Sequence, residues 1–213
     1  MTRSRALIIS HKYKFIFIKT RKTAGTSIEA YLSSLCDDKD TFTPINPPVP
    51  PHNARNYENF YNHMPAHAVR ELVNDKIWTE YFKFCVERNP WDKTASFYYF
   101  ISKYRHSNSL DVDQFFEKGY NCSDLDKYTE PSNPSKIIID HIIQYEDLNN
   151  ELSRIFSILK IPFHGTLNVH AKSEFRDRSK HYTELFSEQQ LDKIRKIFSR
   201  EIALYGYQID RPH

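Results

Sequence analysis

The feature that most limits how this chain can fold is a pattern met twice: an apolar run, a short polar turn, then apolar residues at helical spacing. "FIFI" at residues 15–18 is followed by "KTRKTAGTS" and then by "IEAYLSSL", where Ile28, Tyr31, Leu32 and Leu35 share one helical face. "EYFKFCVE", residues 80–87, leads in the same way into "RNPWDKTASFYYFISKY". A continuous apolar strand suits burial on both faces, and strands alternating with helices specify an α/β chain with a mostly parallel sheet between helices.

The rest of the chain extends this pattern. Asn89 can cap the second helix, with Pro90 in its first position. "MPAHAVRELV" predicts a short helix, and "DVDQFFEKGY" a short amphipathic piece inside the polar stretch 105–134. "KIIIDHIIQYE" has strand character, and "DLNNELSRIFSILKIP" places Leu148, Leu152, Ile155, Phe156 and Leu159 on one helical face. "SEQQLDKIRKIFSREIAL" predicts a final helix opened by a capping box, Ser187 with Gln190, whose inner stripe is Leu191, Ile194, Phe198 and Ile202. Residues 41–55 are proline-rich and predict an extended connection without a regular element. No flexible linker divides the chain, so residues 1–213 read as one domain.

Composition excludes several classes. With 30 basic and 27 acidic residues the formal charge is +3, too small an excess for a nucleic-acid coat and compatible with a local pocket for a small polyanion. Cys36, Cys85 and Cys122 form neither a disulfide framework nor a CxxC metal pair, so free thiols in a reducing compartment are expected. The apolar run Ala6–Ile9 is too short for a signal sequence, and no run has transmembrane length. "NCS" at 121–123 fits a glycosylation triplet that chance also produces. A soluble, cytoplasmic protein with no membrane partner is the expectation.

In an open α/β sheet, ligands bind at the carboxyl ends of strands, against helix N-termini. The first turn places Lys22, Thr23, Thr26 and Ser27 around Gly25. Backbone N–H groups, hydroxyls and one ammonium make a cage for a tetrahedral anion, although a capped helix beside an exposed lysine would look similar. It is not the nucleoside-triphosphate loop G-x-x-x-x-G-K-[ST], because its lysine precedes the glycine. In the second turn, Arg88 at the strand end and Ser96 inside the helix suit a second phosphate, or Arg88 pairs with an acid. No acidic metal motif accompanies the loop, and no metal is expected.

Taken together, "FIKTRKTAGTSIEAYL" and "FKFCVERNPWDKTASFYYF" closely resemble the sulfotransferases that use 3'-phosphoadenosine 5'-phosphosulfate (PAPS), best the carbohydrate- and heparan-type branch. "HMPAHAVREL" and "IIQYEDL" also match, and the resemblance runs from Phe15 to Tyr207. It implies a three-layer, P-loop-like fold with a central sheet flanked by helices. It implies sulfuryl transfer to the hydroxyl of a glycan or small-molecule acceptor. Lys22, Thr23, Ala24, Gly25, Thr26 and Ser27 would then hold the 5'-phosphosulfate, with Lys22 at the bridging oxygen. Arg88 and Ser96 would hold the 3'-phosphate. A late loop implies Lys172, Arg176 and Arg178 as further contacts, against the alternative of a solvated charge run.

The acceptor's proton needs a base, and His63 in the matching histidine segment is the first choice. His67, Glu87 and Asp140 are the alternatives. The aromatic set Phe97, Tyr98, Tyr99 and Phe100 is expected to divide between core and acceptor cleft, with segments 44–51 and 105–134 on the acceptor side. Two rival functions are a Mg²⁺-dependent small-molecule kinase, which lacks its loop signature, and a non-catalytic nucleotide- or glycan-binding module.

Overall fold

The apolar run at Phe15 becomes the middle strand of a five-stranded sheet. The computed structural model describes residues 7–106, 109–167 and 181–210, and the chain divides into two compact units. The first unit, Met1–Glu87 with Asp126–Ala171, contains strands β1 (Ile8–Ser10), β2 (Phe15–Phe17), β3 (Thr41–Phe42), β4 (Phe82–Glu87), β5 (Thr129–Glu130), β6 (Asn133–Ile137) and β7 (His141–Gln144). Sheet order is β3-β1-β2-β4-β7, with β5 and β6 forming a separate antiparallel pair. β2, β4 and β7 run parallel, in register Phe17↔Phe84 and Phe84↔His141, while β1 is antiparallel to both its neighbours.

The unit's helices are α1 (Gly25–Ser33), α2 (Ala66–Leu72), α3 (Asp75–Glu80) and α6 (Leu148–Ile158). Phe15 and Phe17 of β2, Phe84 and Val86 of β4 and Ile143 of β7 form one core with Ile28 and Leu32 of α1 and Leu152, Ile155 and Phe156 of α6. β4 is buried along both faces past its first residue, which explains its unbroken apolar reading.

Two segments differ from expectation. Thr41 and Phe42, inside the proline-rich stretch, pair with Ile9 and Ile8 as an edge strand, and Phe42 also bridges Arg55. Two residues are too few to show any periodicity. The run "KIIIDHIIQYE" splits into β6 and β7 because its halves pair with different strands, β6 with β5 and β7 with β4. Between them Asp140 meets Lys83 of β4, its N donating to Lys83 O at 2.9 Å and its Oδ2 accepting from Lys83 N at 2.7 Å.

The second unit, Arg88–Leu125 with Lys172–His213, is helical: α4 (Pro90–His106), α5 (Val112–Glu117), α7 (Tyr182–Leu185), α8 (Glu188–Ile197) and α9 (Ser199–Tyr205). Asn89 Oδ1 accepts from Trp91 N at 3.1 Å, the cap read from the sequence. The Ser187–Gln190 capping box is present, but the expected final helix bends at Phe198 into α8 and α9. Trp91, Ala95 and Ile101 pack with Phe115, Phe116, Leu191, Ile194 and Phe198. Lys93 and Asp124 form an ion pair at 3.0 Å, both side chains fully buried. No described helix is long and apolar enough to cross a membrane.

Candidate active site

β2 ends at Phe17, and the loop that follows lies along the carboxyl end of β4. Ile18 N donates to Phe84 O at 2.9 Å, and the Thr20 hydroxyl donates to Val86 O. The Thr23 hydroxyl bonds the Thr20 hydroxyl at 2.9 Å and lies near Thr20 O. It is therefore spent inside the turn, and what Thr23 can offer an anion is its backbone.

The turn carries backbone strain in an informative place. Lys22 and Ala24 hold φ of 63° and 59°, the left-handed region that non-glycine residues rarely adopt. Alternating left- and right-handed residues turn successive N–H groups toward one point, which makes an anion-binding concavity. Ala24 is the N-cap of α1, with no side-chain cap bond and no acidic residue in the first turn. Alanine is among the poorest N-caps, and the first N–H groups of any helix lack an intrahelical acceptor. A helix that begins this way is suited to an anion as its cap.

Lys19 threads this loop. Its Nζ lies 2.6 Å from Glu29 Oε2 and 3.2 Å from Thr26 Oγ1, with the Lys19 and Glu29 side chains buried. Its backbone oxygen is 2.9 Å from His63 Nδ1. A carbonyl only accepts, so Nδ1 carries the proton and Nε2 holds the lone pair of the neutral ring. That is the tautomer a general base needs. His63 itself sits at φ 53°, a third strained residue beside this loop.

The structure separates the other candidates. Ser27 is buried in the first turn of α1, and Gly25 lies under the Lys19 stem. Glu87 is buried at the end of β4. His67 is the second residue of α2, and nearby Arg70, hydrogen-bonded to Glu130, holds that carboxyl below its usual range. Asp140 stands at the amino ends of β4 and β7, a strand's length from the loop, which removes it as a base.

Arg88, the first residue of the second unit, is buried and ion-paired with Asp92, Nη2 to Oδ2 at 2.5 Å and Nε to Oδ2 at 2.6 Å. Ser96 is half-buried on α4. Phe97, Tyr98 and Phe100 pack against the second core, so most of that aromatic set is structural. Lys172, Arg176 and Arg178 lie outside the described residues. Among the described residues no cluster of His, Cys, Asp or Glu could hold a metal. Sequence reasoning missed Lys19, Glu29 and Thr20. It also missed Asp92, which helical spacing from Arg88 could have revealed.

His52 senses the same region. Burial above all, then the positive charges of Lys19 and Arg55, lower its pKa to about 4. An unfolded histidine titrates near ~6.5, so between these values the unfolded chain binds more protons. The contribution is full above pH ~6.5 and is lost as pH falls toward 4. Screening of a partly exposed ring limits it to about 1 kcal/mol. Thermal midpoints measured from pH 7 to 4 are expected to fall less steeply for His52→Gln than for the parent. Parallel curves would show that His52 is not held neutral.

A strained, basic turn opening a helix without a side-chain cap, on a mixed α/β sheet, has the features of an anion-binding turn. The chain matches the sulfotransferase family over residues 5–208, and it belongs to that family. It is also similar to an uncharacterized protein from Archaeoglobus fulgidus, 31% identical over 101 residues, covering 46% of this chain and 84% of that one. Sulfuryl transfer is the family's chemistry, and the chain is a sulfotransferase.

Proposed function

We propose that the donor is PAPS and the acceptor a carbohydrate hydroxyl, on a three-layer P-loop-like fold. The observation that carries the donor assignment is the strained turn at Lys22 and Ala24, opening a helix with no side-chain cap. When bound, the donor supplies a sulfuryl group on a phosphate leaving group. The amides of residues 23–26 and the Thr26 hydroxyl hold the 5'-phosphosulfate, while Ser27, whose own N–H donates to Ala24 O at 2.9 Å, lines the turn with its side chain. Lys22 sets its ammonium at the bridging oxygen, where negative charge develops as the sulfur–oxygen bond breaks. His63 accepts the acceptor's hydroxyl proton at Nε2 as the new oxygen–sulfur bond forms. Arg88 and Ser96 hold the 3'-phosphate, with Asp92 fixing the plane of the guanidinium.

Transfer of ³⁵S from labelled PAPS to a panel of glycans and small hydroxylic acceptors tests the donor and the acceptor class together. Labelled product on a glycan is expected. Stabilisation by ATP with Mg²⁺, and none by adenosine 3',5'-bisphosphate, would instead favour a kinase. Arg88→Ala is expected to weaken the bisphosphate about tenfold or more, while adenosine 5'-phosphosulfate, which lacks the 3'-phosphate, loses little. Equal losses for the two ligands would remove the 3'-phosphate role.

A further inference from the structure

Lys19 is not among the residues given a role in transfer, yet it touches Gly25, Thr26, Glu29 and His63 around the loop. A buried lysine–glutamate pair is weak evidence for stability, so its position beside an anion turn needs another explanation. Its aliphatic stem runs against Gly25, where an added Cβ would stand 2.7 Å from Lys19 Cγ and 2.8 Å from Cε. Glu29 fixes the far end of that stem at 2.6 Å, so the stem cannot simply swing aside. Thr26 Oγ1 accepts from Nζ at 3.2 Å, which commits a lone pair to Lys19 and points the hydroxyl's own proton elsewhere. At the main chain, the Lys19 carbonyl holds the His63 ring.

We propose that Lys19, its charge matched by Glu29, is a positioning residue that orients the Thr26 hydroxyl as a donor and fixes the turn and His63 in one frame. The ligand's charge is then met by Lys22, while Lys19 sets geometry. The assignment of the Thr26 proton to a sulfuryl donor rests on the proposed function; the anchoring of the turn does not.

Removing Lys19 alone would strand a fully buried carboxylate and could unfold the chain, so the variant to use is Lys19→Met/Glu29→Leu, which removes both charges at similar volume. Hydrogen exchange without ligand is read first. The amides of residues 20–27 are expected to exchange at least about tenfold faster in the double variant, with β2 and β4 unchanged. Wild-type exchange in the turn would overturn the proposal.

Affinity for adenosine 3',5'-bisphosphate is then compared among the double variant, Thr26→Val and the triple variant. Each of the first two is expected to lose about tenfold, and the triple no more than either, because the pair acts through Thr26. Losses that multiply would overturn the positioning role and leave a merely structural pair. If the parent chain binds no bisphosphate while exchange in the turn still depends on the pair, the donor assignment falls and the anchoring stands.

Discussion

Lys22→Ala is expected to lower kcat by at least about 10²-fold while the chain stays folded. The side chain is half-buried and lies outside both apolar cores, so its loss should cost no more than a partly exposed polar contact, about 1 kcal/mol. The backbone adds no penalty, because Ala24 in the same turn already holds φ 59° against 63° for Lys22. On the proposed role, what is lost is an ammonium at the oxygen that gains charge as the sulfur–oxygen bond breaks. Such an interaction is stronger in the transition state than in the ground state, so the loss falls on kcat more than on KM. Lys22→Arg keeps the charge on a differently shaped group and should recover part of the rate. Single-turnover transfer of labelled sulfate, with thermal midpoints for each variant, makes the measurement. A kcat within about threefold of the parent would take the leaving-group role away from Lys22.

The elements around this site were legible because local sequence and tertiary demand agree there. β2 and β4 are buried on both faces and read as apolar runs, and Asn89 with Pro90 marks the start of α4. The split between β6 and β7 was not legible, because it depends on β6 pairing with β5 while Asp140 and β7 meet β4, Asp140 bonding Lys83 57 positions away. The bend at Phe198 was hidden for the opposite reason. Its flanking bonds, Phe198 N to Ile194 O and Ile202 N to Phe198 O, keep helical spacing, so the apolar stripe runs through it unbroken. Within the proposed site, Lys22 and Gly25 stood out in the sequence by type and spacing. Lys19 did not, since a lysine in a basic turn looks solvated until Glu29 is found on the buried face of α1. Thr23 shows the converse: residue type suggested a ligand hydroxyl, and the fold uses that hydroxyl against Thr20.

The largest stability effect is expected in the second unit, at Lys93 in the stretch "RNPWDKTAS". Its ammonium meets Asp124 at 3.0 Å with both side chains at 0% exposure. The neighbouring Ser123 hydroxyl donates to the buried Glu201 carboxylate at 2.5 Å, so the segment after α5 is tied to α4 by one residue and to α9 by the next. Lys93→Met leaves the Asp124 carboxylate enclosed without its cation, a loss of about 3–5 kcal/mol. For a chain of this size that corresponds to a fall of roughly 6–20 °C in Tm. Lys93→Met/Asp124→Leu removes both charges and should recover most of the loss, because the penalty arises from the stranded carboxylate. The Arg88–Asp92 pair makes the contrast: Asp92→Asn keeps an amide oxygen that can still accept from the buried Arg88, so it should cost less than Lys93→Met, about 1–3 kcal/mol. Calorimetric melts of the four proteins, with the parent, decide between these accounts. A Lys93→Met midpoint within about 2 °C of the parent, or a double variant no more stable than the single, would show that this buried pair does not hold the unit together.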